Sequence, residues 1–476
     1  MIISIASLIF FAVVCLIFFN IRQTLRTRFL VVSGLVYAFL LSPYAGAVVL
    51  IVSVLTWLMG MLIGRLHAED HPHTAAVMTG GSAAAAVLLL LAFKFVHPLQ
   101  TAGILPEDFR WILPVGFSFY SFQVISYLVD INTGRTEAIR SLWEVLLWLC
   151  WFPKFISGPI ERAKGFSGQI RKMENTTFRG VRRWKKVVSY VLVGSFYKIV
   201  IADRLGVFAD RIFDEYSAMS SSWLLLGVLF YTIQIYCDFA GYSYVAVGIS
   251  AAFDIDLATN FAMPYCSANI TEFWRRWHIS LSSWLRDYLY IPLGGNRRGE
   301  ARKYLNVLIV FLVCGLWHGI GTGFLVWGLL HGFYSALDSF LDHRNIQKLR
   351  QGIPGRLLTF AAVSAAWIFF RFPTARAALR YIRAMLTTGP RFHSFRAEMA
   401  AIGMKDQEAR LIVFLILVMA VMDITAYRKK CAVPEILRDR HYVIRYTAVL
   451  LLMLTMLVFG MYGPAFDSSR LIYMQF

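Results

Sequence analysis

The stretch that decides the fold is FLVCGLWHGIGTGFLVWGLLHG, Phe311 to Gly332. It is almost wholly apolar, which points to burial in hydrocarbon or in a helix bundle. Two histidines, His318 and His331, and a series of glycines interrupt it. A polar group in lipid costs several kcal/mol unless it is paired or lines a cavity. His318 therefore needs a reason to be there.

Working outward, the rest of the chain has the same character. It has 476 residues, 58% of them hydrophobic and 16% charged, where a soluble protein carries about 25% charged residues. The mean hydropathy is +0.60. Apolar runs of spanning length recur at about 2–20, 29–42, 44–64, 74–96, 111–129, 187–201, 223–237, 305–318, 324–341, 357–372, 411–427 and 444–463. The first lacks a basic leader and a small-residue cleavage site, and Arg22, Arg26 and Arg28 follow it, so it reads as a span rather than a signal peptide. The expected fold class is an all-α polytopic membrane protein with about 11–13 membrane helices plus re-entrant segments, in one domain. The last span and an extracytoplasmic aromatic tail occupy 444–476.

The net charge of +19 lies in loops between the apolar runs, where it sets topology and attracts anionic headgroups or substrates. No nucleic-acid motif accompanies it. The six cysteines form no CxxC pair and most sit in apolar segments, so they read as small buried hydrophobes, with no disulfide framework and no zinc signature. With both termini outside the cytoplasm, alternation places the basic clusters inside, including the run from Arg162 to Lys186. Two conditions are needed. Segment 142–160, broken by Pro153 and Gly158-Pro159, must enter and leave on one side, and segment 239–253 must do the same. The basic loop 373–410 fits the rule badly.

Between about 238 and 332 the sequence stops resembling a plain bundle. TEFWRRWHISLSSWLRDYLYIPLGG, Thr271 to Gly295, is too polar to span lipid and too aromatic for a solvated loop. Such a segment belongs half-buried at a membrane face, lining a cavity. His318 lies thirteen residues into the next span, about 20 Å of climb, and Gly319, Gly321 and Gly323 then break the helix. A neutral histidine there can take the proton of a hydroxyl as that hydroxyl attacks an acyl carbonyl. A packing histidine bonded to a backbone carbonyl is the plainer alternative.

WRRWHISLSSWLRDYLYIPLGG followed by GLWHG resembles the signature of the membrane-bound O-acyltransferases, in the branch of the bacterial alginate O-acetyltransferases. LPVGFSFYSFQVISYLVD, FPKFISGPIER, DFAGYS and WIFFR match that branch in the same order. The resemblance implies a ring of helices around a tunnel in which a cytoplasmic thioester meets an acceptor from outside. It implies His318 as the catalytic histidine and His278 as a second active-site residue. Relatives often carry an acid where this chain has Tyr244, so the role of that acid is in doubt; Asp238 remains.

Other candidates carry two readings each. Arg275, Arg276 and Arg286 could bind the phosphates of coenzyme A or of a carrier's phosphopantetheine, with Trp277 and Asp238 beside them, or could simply anchor the cytoplasmic face. His331 reads foremost as packing, Asp203 as a helix-end partner of Arg204 or a nearby cation, and HAEDHPH (67–73) as a solvated turn. The end, SSRLIYMQF, resembles an aromatic C-terminal motif of this branch, which implies Tyr473 as an acyl relay to a periplasmic transferase; docking of an apolar tail is the alternative. The function expected is acetyl transfer from a cytoplasmic thioester, acetyl-CoA foremost, across a bacterial inner membrane to an exopolysaccharide such as alginate or cellulose, with no bound cofactor and no metal. D-alanyl or peptidoglycan acyl transfer is the rival within the class. A transporter is the rival outside it, but it calls for paired broken helices in two repeated halves, and no repeat is present.

Overall fold

The computed structural model describes residues 5–101, 103–106, 108, 113–344, 352–391, 394–437 and 440–462. Tyr473, with the rest of the tail from 463 to 476, lies outside the described residues. Every regular element among the described residues is helical. The chain clusters into two compact units, one formed by the residues up to Val188 with Val245–Thr259, the other by Ser189–Tyr244 with the residues from Asn260 onward.

The first unit holds α1 (Ile5–Asn20), α2 (Arg26–Leu41), α3 (Pro43–Ala68), α4 (Pro72–Thr101), α5 (Phe117–Asn132), α6 (Leu142–Leu149) and the short α7 (Ala163–Ser167) and α8 (Ile170–Glu174). Helix α9 (Val181–Ser195) leads into the second unit. There follow α10 (Asp203–Asp214), α11 (Ser221–Ala252), α12 (Ile270–Arg276), α13 (Ile279–Leu285), α14 (Glu300–His318), α15 (Thr322–His343), α16 (Gly352–Arg371), α17 (Ala375–Thr387), α18 (Phe395–Ala401), α19 (Asp406–Lys429) and α20 (Tyr442–Phe459). Nine described helical stretches are long and apolar enough to cross a membrane: α2 together with the 3-10 turn Gln23–Leu25 before it, α3, α4, α11, α14, α15, α16, α19 and α20. α1 is apolar but shorter. The protein is an all-α, multi-pass membrane protein. Exposed Leu450, Leu451, Leu457 and Val458 on α20 make sense only against lipid.

Three expected segments come out differently. The run 111–129 becomes the 16-residue α5, because Pro114 and then Gly116 delay its start. Gly116 has φ +80°, and a Cβ there would lie 2.2 Å from the Phe155 carbonyl oxygen, so only glycine fits. The run 187–201 becomes the end of α9 and a π-helical turn, Phe196–Ala202. The expected re-entrant segment 239–253 is corrected outright: it continues α11, a single helix of 32 residues and about 48 Å. No proline breaks it, and Gly241 serves close packing instead, since a Cβ there would meet the Gly194 carbonyl oxygen at 2.7 Å.

Segment 142–160 is broken where its sequence requires. α6 stops at Leu149, a 3-10 turn spans Phe152–Lys154, and irregular backbone runs through Gly158-Pro159. Residues 145–161 are all buried. Backbone without regular pairing can exist at membrane depth only inside protein.

Candidate active site

The site is built on the α14–α15 hairpin of the second unit. His318 is the last residue of α14, and the chain turns through 319–321 into α15. Gly319 is extended at φ −178°, so the turn does not rest on left-handed backbone. The glycines serve close approach. A Cβ on Gly315 would lie 2.4 Å from the Phe324 carbonyl oxygen, and one on Gly328 would lie 2.4 Å from that of Phe311. At the tip, Gly321 and Gly323 press on the Pro373 and Phe372 carbonyls, which pins the hairpin to the end of α16. His318 is 4% exposed. Its ring packs against Trp317, Trp327 and Phe370, with centroids 4.8, 5.2 and 5.1 Å away.

His278 approaches the same tryptophan from α12 and α13. Asn269 caps α12 by accepting the Glu272 N–H at 2.7 Å, and Glu272 accepts from Ala268 N–H at 2.8 Å, a reciprocal cap. The Thr271 N–H donates to Asp338 at 3.0 Å. α12 thus ends at a defined place, and His278 makes the corner into α13 with φ +43° and ψ +55°. Left-handed backbone costs about 1–2 kcal/mol outside glycine, so the surroundings must impose it. Asn260 does this: its carbonyl oxygen accepts from Ile279 N–H at 3.0 Å, and its Oδ1 accepts from Ser280 N–H and Oγ–H at 3.1 and 2.7 Å. His278 is fully buried, 4.7 Å from Phe239 and 6.2 Å from Trp317 between ring centroids. Burial pushes its imidazole down to about 3, so it is neutral near pH 7. Trp317 therefore touches both histidines that the sequence singled out.

A third histidine joins them. His331 on α15 has no exposed surface. Trp274 Nε1–H donates to its Nδ1 at 3.3 Å. Trp327 lies between the two α14–α15 histidines, 5.2 Å from His318 and 5.0 Å from His331. Neither Trp327 Nε1 nor His331 Nε2 has a hydrogen-bond partner among the described residues. A buried donor left unmatched costs about 1–3 kcal/mol.

The remaining candidates fall into different surroundings. Trp277 is buried, stacked on Phe273 and 5.0 Å from Trp367 between centroids. Arg276 pairs with Glu272 at 3.0 Å, donates to the Ala262 carbonyl at 3.0 Å and lies 4.6 Å over the Tyr427 ring. Arg275 is exposed, and exposed Arg286 pairs with Asp287 at 2.8 Å. Asp238 sits in a buried triad in which Lys198 Nζ meets Asp238 and Asp203 at 2.6 Å each. The nearby cation of Asp203 is thus Lys198.

Several residues of this region carried no signal in the sequence. Lys198 lies in an apolar run, and only the π turn aims it at two carboxylates. Asp423 on α19 accepts the Tyr197 hydroxyl at 2.7 Å. Asn260 belongs to none of the motifs singled out in the sequence. Among the described residues, no group of three or more His, Cys, Asp or Glu side chains could hold a metal ion.

Residues 135–345 match the model of the MBOAT, membrane-bound O-acyltransferase, family. The chain is 34% identical over 348 residues to a probable alginate O-acetylase AlgI of Pseudomonas syringae pv. tomato, covering 71% of this chain and 65% of that protein. It is 36% identical over 306 residues to a peptidoglycan O-acetyltransferase of Helicobacter pylori, covering 59% and 58%. It is 30% identical over 232 residues to a teichoic acid D-alanyltransferase of Streptococcus thermophilus, covering 46% and 55%. The chain thus spans between half and two thirds of the length of these relatives.

Proposed function

We propose a function for this chain on one premise: it belongs to the membrane-bound O-acyltransferase family. It moves an acetyl group from a cytoplasmic thioester, acetyl-CoA foremost, to hydroxyls of an envelope polysaccharide on the far side of a bacterial inner membrane. The observation that carries the reading is His318. It closes α14 inside the matched segment, buried among Trp317, Trp327 and Phe370. There its imidazole takes the proton of the attacking hydroxyl and passes it to the leaving thiolate. His278, held neutral beside Trp317, assists. The thioester supplies the driving force, and no cofactor takes part.

Acetyl is favoured over D-alanyl because the acetyl-transferring relatives are 34% and 36% identical over 71% and 59% of the chain, against 30% and 25% over 46% and 54% for the D-alanyltransferases. Arg275 and Arg286, exposed on α12 and after α13, are the residues of the donor-phosphate reading. Trp277 lines the path. Arg276 and Asp238 hold the walls through Glu272 and Lys198. The relay at Tyr473, a periplasmic acetyltransferase that receives the group, and the outward placement of both termini rest on the sequence. The test is the acetyl content of the envelope polysaccharide in a deletion strain complemented with wild type, His318→Ala or Tyr473→Phe, with membrane protein levels checked. Loss with His318→Ala at normal abundance supports the reading, and full acetylation removes it. Full acetylation with Tyr473→Phe removes the relay alone.

A further inference from the structure

Among the described residues, Trp327 Nε1, whose ring lies 5.2 Å from His318, and His331 Nε2, on the far side of Trp327, are buried without a hydrogen-bond partner. An indole nitrogen only donates, so Trp274 must give its proton to His331 Nδ1. A neutral His331 then carries its own proton on Nε2. Its lone pair is already taken, so His331 cannot act as a base in this arrangement. What it has left is a donor. Trp327 also has a donor left. Their rings lie 5.0 Å apart, and Trp327 stands perpendicular to His318. Both residues are at most 1% exposed. Two donors held in a buried aromatic wall are suited to one kind of ligand atom, an oxygen that gains negative charge.

We propose that His331 Nε2–H and Trp327 Nε1–H hold the carbonyl oxygen of the acyl group during transfer. The proposal rests on the reading of His318 as general base. The hydroxyl oxygen of the acceptor bonds to the carbonyl carbon while its proton passes to His318. The carbonyl pair moves onto the oxygen, where the two donors meet the charge. The pair then returns, the carbon–sulfur bond breaks, and the thiolate takes the proton from His318. Trp274 is a positioning residue, because it fixes which nitrogen of His331 bears the proton.

The test follows alkali-releasable acetate of the cell envelope after a pulse of expression of the full chain, normalised to membrane-resident protein. Thermal midpoints of the purified variants are read in parallel. His331→Phe and Trp327→Phe are each expected to lower acetate incorporation about 100-fold at unchanged abundance, more than any fall in midpoint explains, with His331→Phe also stranding the Trp274 donor. His331→Gln keeps an acceptor for Trp274 and an N–H for the oxygen, and is expected to regain about tenfold over His331→Phe. Phe variants within about twofold of wild type, or losses that only track abundance and midpoint, overturn the donor pair. His318→Ala separates the two ideas. If it is inactive while the Phe variants work, the donor pair alone fails. If it stays active, the general-base reading fails with it. A wild type that adds no acetate overturns the acetylation reading itself.

Discussion

Two clusters of polar groups lie buried in the second unit, and they are finished differently. Around Lys198, one ammonium meets two carboxylates at 2.6 Å each. The cation is balanced and hydrogen-bonded inside the protein. Around His331 and Trp327, two donors point from aromatic walls with no partner among the described residues. A buried charge is costly unless paired, and in the first cluster the counter-charges come from within the protein. The second lacks an acceptor among the described residues, and that is where the proposed acyl oxygen would sit. Composition hides this difference. Both clusters are a few polar side chains in apolar helices.

The contrast breaks most sharply on activity. His318→Gln should lower acetyl transfer by about 10³-fold with little change in thermal midpoint, since it removes the base and keeps most of the side-chain volume. A large loss of stability would move His318 to the architectural side. Lys198→Met should do the reverse, destabilising the protein by about 3–5 kcal/mol by leaving two carboxylates buried without their cation. Thermal or denaturant unfolding in detergent measures it. Adding Asp203→Asn and Asp238→Asn to that variant should restore much of the loss, because no charge then remains.

Gly328→Ala is expected to affect both properties. Its Cβ would meet the Phe311 carbonyl oxygen at 2.4 Å. It should cost up to about 3 kcal/mol and also push α14, and with it His318, out of place. A stable variant with full activity would show that the hairpin tolerates a wider gap.

His278 sharpens the comparison through pH. Burial pushes it down to about 3, from 6.5 in the unfolded chain. Between those values the unfolded chain binds a proton that the folded chain does not. Stability therefore falls as pH drops below 6.5, and this loss levels off near 3. At pH 5 the cost relative to pH 7 is about 2 kcal/mol. His278→Asn tolerates the left-handed corner and should flatten that dependence. The smallest effect is expected at Arg286, whose exposed pair with Asp287 contributes at most about 1 kcal/mol. Arg286→Gln should leave the midpoint almost unchanged and, if the arginine meets donor phosphate, raise the apparent KM.

Legibility followed the same division. The apolar runs announced the helices because burial in lipid demands them. Pro153 and Gly158-Pro159 announced the break after α6, because proline lacks the helical donor. The re-entrant segment at 239–253 was expected and is absent, since small residues permit a break but do not force one, and the tight contact of Gly241 with Gly194 uses them otherwise. His278 and His318 stood out as polar groups in long specific motifs. Asn260 and Lys198 did not, because their partners are far away in the chain or reached only through the π turn.

By itself, the sequence determined that the protein is helical and membrane-embedded, and it singled out the candidate site between about 238 and 332. Those properties are local: hydropathy over twenty residues, a proline, a motif. Only the tertiary structure decided which histidine keeps an open donor, which lysine has its charges matched, and which residues surround His318. Those properties depend on whether a hydrogen bond closes across segments distant in the chain. The Nδ1 of His331 is taken because α12 brings Trp274 to it, and no spacing along the chain states that.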